Sequence, residues 1–311
     1  EKSVIALGFF DGVHLGHAGL LKRCRAVADR LGFQAAVMTF DLHPDTLVTG
    51  KPVPLINSRQ DREDIFRRLF GMDRVVFYHF TEQTMHMPWQ SFLDDYVIGE
   101  LGAAHVVCGH DFHFGDRGAG NPERLTARCR ELGVGCDVID KILDGITVSS
   151  TYIRQLIAAG DLEQANRFLG HPHLLSGQVV PGAKVGRTIG IPTANLHVPE
   201  GVLEPAHGVY ATKVYVDGQA HLAVTNVGTR PTVHGSGVTV EPWILDFSGE
   251  LYGKTIRVEF YKHLRPEKKF GSLEELRAAI EDSTRKSVEL CEKYREIPLQ
   301  TDEAVLQSIG N

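Results

Sequence analysis

Apolar runs and helical periods take turns along the first half of this chain, and that alternation limits the fold more than any other feature of the sequence. Residues 4–10 form a buried-type apolar run. Leu20, Leu21, Cys24, Val27, Ala28 and Leu31 then recur at helical spacing until Gly32 stops the helix. Residues 35–40 read as a second strand. Ser58 with Asp61 reads as a capping box opening a helix that buries Ile65, Phe66, Leu69 and Phe70. A third strand is expected at 74–80, and then a helix opened by Pro88 with Trp89, Phe92, Leu93, Tyr96 and Val97 on one face. A fourth strand at 104–108 and a helix at 122–132 complete the series. Strands separated by helices predict an α/β, doubly wound parallel sheet with helices on both faces. In such sheets ligands sit at the carboxyl ends of the strands.

The pattern changes near residue 171. Residues 151–169 read as two short helices broken at Gly160, and strand-like runs follow at 177–180, 208–216, 219–227, 239–247 and 254–261. Asp217-Gly218 between two of these runs is a hairpin turn signal. Five or six short strands with Gly and Pro turns predict a small antiparallel barrel. A helix capped by Ser272, with Glu275 in the capping-box position, comes after it. A boundary at His171-Pro172 divides the 311 residues into domains 1–170 and 171–311, in line with a prior of about 150 residues per domain.

Composition excludes several classes. With 42% hydrophobic and 23% charged residues the chain is neither disordered nor coiled coil. Its longest apolar runs, such as Val75-Val76-Phe77-Tyr78, are far short of a membrane span. A net charge of −6 argues against a broad nucleic-acid or anionic-membrane surface and leaves room for a small basic pocket. Cysteines at 24, 108, 129, 136 and 291 are odd in number and lack a CxxC pair, which points to reduced thiols in the cytoplasm. The chain opens on Glu1 just ahead of a strand, so a short N-terminal piece is expected to have been lost. No charged-then-apolar leader is visible, and a cytoplasmic location is expected.

The sharpest local signal is GFFDGVHLGH at residues 8–17, where the first strand gives way to the first helix. A helix N-terminus offers unpaired N–H groups and partial positive charge, so this is a natural phosphate site. Gly12 and Gly16 let the backbone approach a ligand. His14 and His17, three apart, share a face and suit hydrogen bonding to phosphate oxygens as charge develops. A Gly-rich turn with two solvated histidines and a zinc pair are the competing readings. VSSTYIR at 148–154 opens a helix; its hydroxyls serve as simple caps or, with Arg154, hold a triphosphate tail. Residues 108–115, CGHDFHFG, follow a strand where a second substrate would enter, and their aromatics suit either stacking a planar ring or packing a loop. In the second half, Gly182, Gly186 and Gly190 with Lys184 and Arg187 suit either a phosphate chain or an ordinary barrel loop. Thr193 and Asn195 alternate on an extended segment and present hard oxygen donors suited to Mg²⁺. Glu241, among apolar neighbours in a strand, is either an exposed-face residue or a placed base.

Taken together, these motifs resemble the prokaryotic bifunctional riboflavin kinase/FAD synthetase family over roughly residues 3–290. The resemblance rests on GFFDGVHLGH (8–17), TFDLHP (39–44), GHDFHFG (109–115), VSSTYIR (148–154), VGRTIGIPTANL (185–196), GVYA (208–211), NVGTRPT (226–232), VEPWILDF (240–247), LYGK (251–254) and LRPEKKF (264–270), in the family's order. It implies an N-terminal FMN adenylyltransferase that makes FAD and pyrophosphate from FMN and ATP. It also implies a C-terminal riboflavin kinase, a six-stranded antiparallel β-barrel with a C-terminal helix. By the same resemblance, Gly8, Phe10, Asp11, Gly12, His14 and His17 cradle ATP, and Ser150, Thr151 and Arg154 hold its tail phosphates. Asp111 and Phe112 help form the FMN side. Gly182, Lys184, Gly186, Arg187 and Pro192 hold the kinase nucleotide, Thr193 and Asn195 bind Mg²⁺–ATP, Glu241 accepts the hydroxyl proton, and Arg265 lies near the flavin. The implied partners are small molecules (ATP, riboflavin, FMN), with no nucleic acid, no membrane, and at most a transient homo-oligomer.

The chain departs from the family pattern at three places. Phe9 stands where Asn is frequent, His113 where an Arg is usual in the DFRFG pattern, and Asp45 where the FEPHPR-type segment ends in Arg. Two cations near the adenylyltransferase site are thereby lost, while the kinase set is complete. A monofunctional kinase, a flavin-binding regulator with impaired chemistry and a His-rich metal hydrolase are the competing readings.

Overall fold

The computed structural model describes residues 2–140, 148–181, 193–232 and 235–293. They divide into two compact units, one of residues 2–55 and 62–149, the other of 56–61 and 150–293.

The first unit begins with β1 (Ser3–Leu7), a turn of 3-10 helix (Asp11–Val13) and α1 (Leu15–Leu31). Then come β2 (Gln34–Phe40), α2 (Pro44–Thr49), α3 (Arg59–Phe70) and β3 (Arg74–Tyr78). Two short helices follow, α4 (Glu82–Met85) and α5 (Trp89–Ser91), the second widening into π-helical turns over Phe92–Glu100. β4 (Ala103–Gly109), α6 (Pro122–Glu131) and β5 (Gly135–Ile139) complete it. The five strands are parallel in the order β3-β2-β1-β4-β5. The chain winds outward from β1 through β2 to β3, then returns to β4 on the other side of β1. That reversal makes the carboxyl ends of β1 and β4 the natural ligand crevice.

Every residue of β1 is buried, as a central parallel strand requires. On one face Ile5, Leu7, Met38, Val106 and Cys108 pack with Leu93, Val97, Leu125 and Cys129. On the other, Cys24 of α1 lies at 3.3 Å from the carbonyl of Val4. Gly32 stops α1 in the left-handed conformation at φ 68°, its N–H reaching the carbonyls of Ala28 and Asp29. The Ser58 cap is present, with the Asp61 N–H donating to Oγ at 3.1 Å.

The second unit starts with α7 (Ser150–Ala159) and α8 (Leu162–Leu169), then β6 (His173–Gln178), β7 (Leu196–His197), β8 (Gly208–Val216), β9 (Gln219–Thr232), β10 (Gly235–Ile244), β11 (Thr255–Arg265) and α9 (Leu273–Lys293). The strands form an antiparallel sheet ordered β6-β11-β8-β9-β10-β7. It curls until its edges nearly meet: the Val180 N–H donates to the Asn195 carbonyl at 2.9 Å, and Gly177 lies against Leu196. The result is a near-closed six-stranded barrel. Asp217 (φ 49°) and Gly218 (φ 82°) make the positive-φ turn between β8 and β9. α9 covers β8 and β9, and its Ser287 hydroxyl donates to the Ala223 carbonyl at 2.9 Å.

Several expectations shift. β1 ends at Leu7 and not at residue 10, because Phe10 takes a left-handed turn at φ 52°. β5 was not expected: Gly135 and Asp137 interrupt its apolar pattern, and as an edge strand it is only partly buried. β6 begins at His173 and not at 177. α7 and α8 belong to the same compact unit as the barrel. Asn166 accounts for this, donating to the Phe260 carbonyl and accepting from the His173 N–H, both at 2.8 Å.

Candidate active site

A cavity of about 1020 Å³ opens at the carboxyl ends of β1 and β4 in the first unit. Its floor is the turn that follows β1. Phe10 (φ 52°), Gly12 (φ 77°) and Val13 (φ 45°) all hold positive φ there. For a β-branched residue such as Val13 this is a strained conformation, of the kind found at ligand-binding turns. The turn sends the Phe10 ring inward, edge-on to Phe66 and to His17. Gly8 is obligatory in this arrangement, since a Cβ there would lie 2.7 Å from the Phe10 ring.

His14 and His17 stack with centroids 3.7 Å apart at 15°. Both line the cavity. Burial first, and the neighbouring His14 second, hold the His17 imidazole well below the usual histidine pKa. It is therefore neutral at physiological pH, able to donate one hydrogen bond without carrying charge. Its Nδ1 has no hydrogen-bond partner among the described residues. Around this pair the α1 N-terminus adds its own N–H groups and positive dipole end.

The opposite walls are aromatic. Phe40, Tyr78, Phe80 and Phe92 contribute from one side, and Phe112 and Phe114, stacked 5.3 Å apart at 18°, from the loop after β4. Such walls suit a large planar ring. At the β2 end, Asp41 accepts the Phe80 N–H at 3.0 Å and pairs with His79. Phe9 lies edge-on to His43 at 4.8 Å, with the buried Arg62 guanidinium 5.6 Å from its ring. Arg62 also donates to the Phe9 carbonyl and the Thr39 hydroxyl, each at 3.3 Å.

Of the sequence candidates, Gly8, Phe10, His14, His17, Asp111 and Phe112 line this cavity, and Asp11 and Gly12 form the buried turn of its floor. Ser149 also lines it, whereas Ser150, Thr151 and Arg154 open α7 and belong to the second unit. Sequence reading missed the strand-end aromatics Phe40, Tyr78 and Phe80, and Arg117 in the loop after β4. The signal for the former was available, since each stands where an apolar run meets the carboxyl edge of the parallel sheet.

In the second unit Glu241 lies on β10 opposite Asn226 of β9 and is 4% exposed. Its Oε1 accepts from the Thr239 hydroxyl at 3.0 Å. β7 pairs Leu196 with Val240, and the Ala194 N–H donates to the Pro242 carbonyl at 3.0 Å. The segment of Thr193, Ala194 and Asn195 therefore runs directly beside Glu241-Pro242. The Asn195 amide nitrogen donates to the Thr193 carbonyl at 3.5 Å. A hydroxyl and an amide oxygen next to a carboxylate fit a Mg²⁺ that takes its remaining ligands from phosphate and water. A small recess of about 80 Å³ adjoins them, bounded by Thr193, Pro242, Phe247 and Tyr252. Arg265 ends β11, its Nε 3.4 Å from the Ser283 hydroxyl and its guanidinium over Phe270; burial lowers its pKa. Gly182, Lys184, Gly186, Arg187 and Pro192 lie outside the described residues. Among the described residues no three His, Cys, Asp or Glu side chains converge on a metal position, and no helix is long and apolar enough to cross a membrane.

Comparison with known proteins adds to this geometry. A family model described as FAD synthetase matches residues 1–152, and one described as riboflavin kinase matches residues 169–291. A bifunctional riboflavin kinase/FMN adenylyltransferase of Listeria monocytogenes is 39% identical over 284 residues, covering 90% of each chain. Its Bacillus subtilis counterpart is 36% identical over 297 residues, covering 92% of each, and that of Escherichia coli 35% over 282 residues, covering 90% of each. A crystal structure from Streptococcus pneumoniae titled a macrolide-efflux protein superimposes with a TM-score of 0.79 at 30% identity, covering 92% of this chain and 94% of that one.

Proposed function

The chain belongs to the bifunctional riboflavin kinase/FMN adenylyltransferase family, and from that premise we infer how its residues divide the two reactions. It phosphorylates riboflavin with ATP to give FMN, and adenylylates FMN with a second ATP to give FAD and pyrophosphate. We assign adenylyl transfer to residues 1–170 and kinase chemistry to 171–311.

In the first reaction the riboflavin 5′-hydroxyl attacks the γ-phosphorus of ATP, its proton passes to the Glu241 carboxylate, and ADP leaves. Glu241 suits that role because it is buried, held by the Thr239 hydroxyl, and adjacent to the segment of Thr193 and Asn195. Those two side chains would hold a Mg²⁺ ion, which when bound spreads the negative charge of the phosphates. Gly182, Lys184, Gly186, Arg187 and Pro192 would wrap the nucleotide, and Arg265 would face the flavin.

In the second reaction the nucleophile, an FMN phosphate oxygen, is already an anion. It forms a bond to the α-phosphorus of ATP as the bond to the β-phosphate oxygen breaks. No strong base is required, only donors for the departing pyrophosphate. The stacked His14–His17 pair at the α1 N-terminus supplies them, and it is the observation that carries the assignment. Gly8, Phe10, Asp11 and Gly12 shape the cradle, Asp111 and Phe112 the flavin side. Ser150, Thr151 and Arg154 would take the tail phosphates.

A product time course from riboflavin, ATP and Mg²⁺ tests both assignments. FMN should appear first and FAD after it. His14→Ala should stop FAD formation and spare FMN formation. If His14→Ala leaves FAD formation intact, the imidazole pair is not the pyrophosphate site.

A further inference from the structure

Resting on the reading of the first cavity as the FMN adenylyltransferase site, we propose that Arg117 binds the phosphate of FMN. The cavity must hold two phosphorylated substrates, yet the carboxylates of Asp111, Asp116 and Asp140 line it. Among its described lining residues Arg117 is the one arginine or lysine.

The loop that carries Arg117 is built to hold one shape. Gly115 (φ 74°), Arg117 (φ 53°) and Gly118 (φ 66°) all take positive φ. An arginine in that conformation is a strained choice where glycine or asparagine would be relaxed, and such outliers gather at ligand-holding positions. The loop is pinned on every side. The Phe114 and Gly120 backbones exchange hydrogen bonds of 3.1 and 2.8 Å, and the Asp116 N–H donates to the Met87 carbonyl at 2.8 Å. Trp89 sits so close to Gly115 that a Cβ would lie 2.6 Å from it.

Neighbouring charges leave the guanidinium available. Asp116, the adjacent carboxylate, is paired with His86 Nδ1 at 2.8 Å. No carboxylate of the described residues pairs with Arg117, whose side chain is exposed on the cavity rim. The same loop carries Phe112 and Phe114, the aromatic pair on the flavin side, so the anion within its reach is that of the flavin phosphate. The ATP phosphates are provided for at the α1 N-terminus. A planar guanidinium is well matched to a phosphate monoester.

The test is steady-state kinetics on the full-length enzyme with Arg117→Ala and Arg117→Lys, varying FMN and ATP separately. In Arg117→Ala the KM for FMN should rise about ten-fold, while kcat and the KM for ATP change less than about three-fold. Arg117→Lys, which keeps the charge and loses the fork, should recover part of the FMN affinity. Added salt should raise the wild-type KM for FMN more steeply than that of Arg117→Ala. Riboflavin phosphorylation in the same preparations should be unchanged, which shows that the chain is folded. An unaltered KM for FMN, an effect confined to ATP, or a fall in kcat alone overturns the proposal. Wild-type enzyme that makes FMN but never FAD overturns instead the reading of the cavity on which it rests.

Discussion

At His17, burial and the adjacent His14 ring act in the same direction, both against the imidazolium. A free histidine titrates near pH 6.5, so the His17 ring should remain neutral as pH falls through that value. Histidine ring resonances followed by NMR from pH 8 to 5 should show the His17 imidazole with its midpoint below that value. A His17 midpoint at or above 6.5 contradicts the stacked, buried arrangement. Glu241 is the corresponding test in the other unit. Glu241→Gln keeps the shape and removes the basicity, so riboflavin phosphorylation should fall by about 10²–10⁴-fold. FAD formation from supplied FMN should stay near wild type, because its nucleophile arrives ionised. Equal loss of both activities would mean that the substitution disturbs more than proton transfer.

Between elements, Asn166 of α8 has the clearest structural task, bridging the Phe260 carbonyl of β11 and the His173 N–H at the start of β6. Asn166→Ala leaves both groups without that partner, and the barrel transition in urea should weaken by about 2 kcal/mol. A change within 0.5 kcal/mol would show that these bonds do not hold α8 to the barrel. The sequence revealed most elements because they obey a single period. α1 buries Leu20, Leu21, Cys24, Val27 and Ala28 at the spacing its pattern indicates, β2 and β8 are apolar runs that form buried strands, and Asp217-Gly218 is legible as a turn because few other residues accept positive φ. What could not be read depends on tertiary surroundings. β5 has no apolar run, since the edge of the sheet lets Gly135 and Asp137 stand in it, and Asp137 is tied instead to Arg23 and His105. The Asn166 bridge has no local signal at all. At the candidate sites, HxGH announces itself because glycines and histidines share one helix start. Arg117 does not, because its importance lies in how few cations the rest of the cavity supplies.

Among the described residues each unit has one imidazole with a depressed pKa, the partly buried His17 in the first and the fully buried His173 in the second, and this gives the molecule a defined response to acid. His173, packed against Phe260, has neither ring nitrogen hydrogen-bonded among the described residues, and burial lowers its pKa to about 3. His17 is shifted in the same sense in the first unit. When the chain unfolds, both rings return to a pKa near 6.5. Between pH 6.5 and the folded pKa the unfolded state therefore binds more protons than the folded state. Stability then falls as pH falls, by at most about 1.4 kcal/mol per pH unit for each group. Above pH 7 neither ring contributes a slope. Urea titrations at pH 8, 6 and 5 should show midpoints that hardly move in the first interval above 6.5 and drop steadily below it. His173→Phe, which presents an apolar ring to Phe260 and takes no proton, should lose least between pH 6 and 5. Its stability relative to wild type should therefore rise as the solution is acidified, whatever cost the larger ring imposes at pH 8. If wild type and His173→Phe run parallel from pH 8 to 5, His173 is not the barrel's acid-sensitive group.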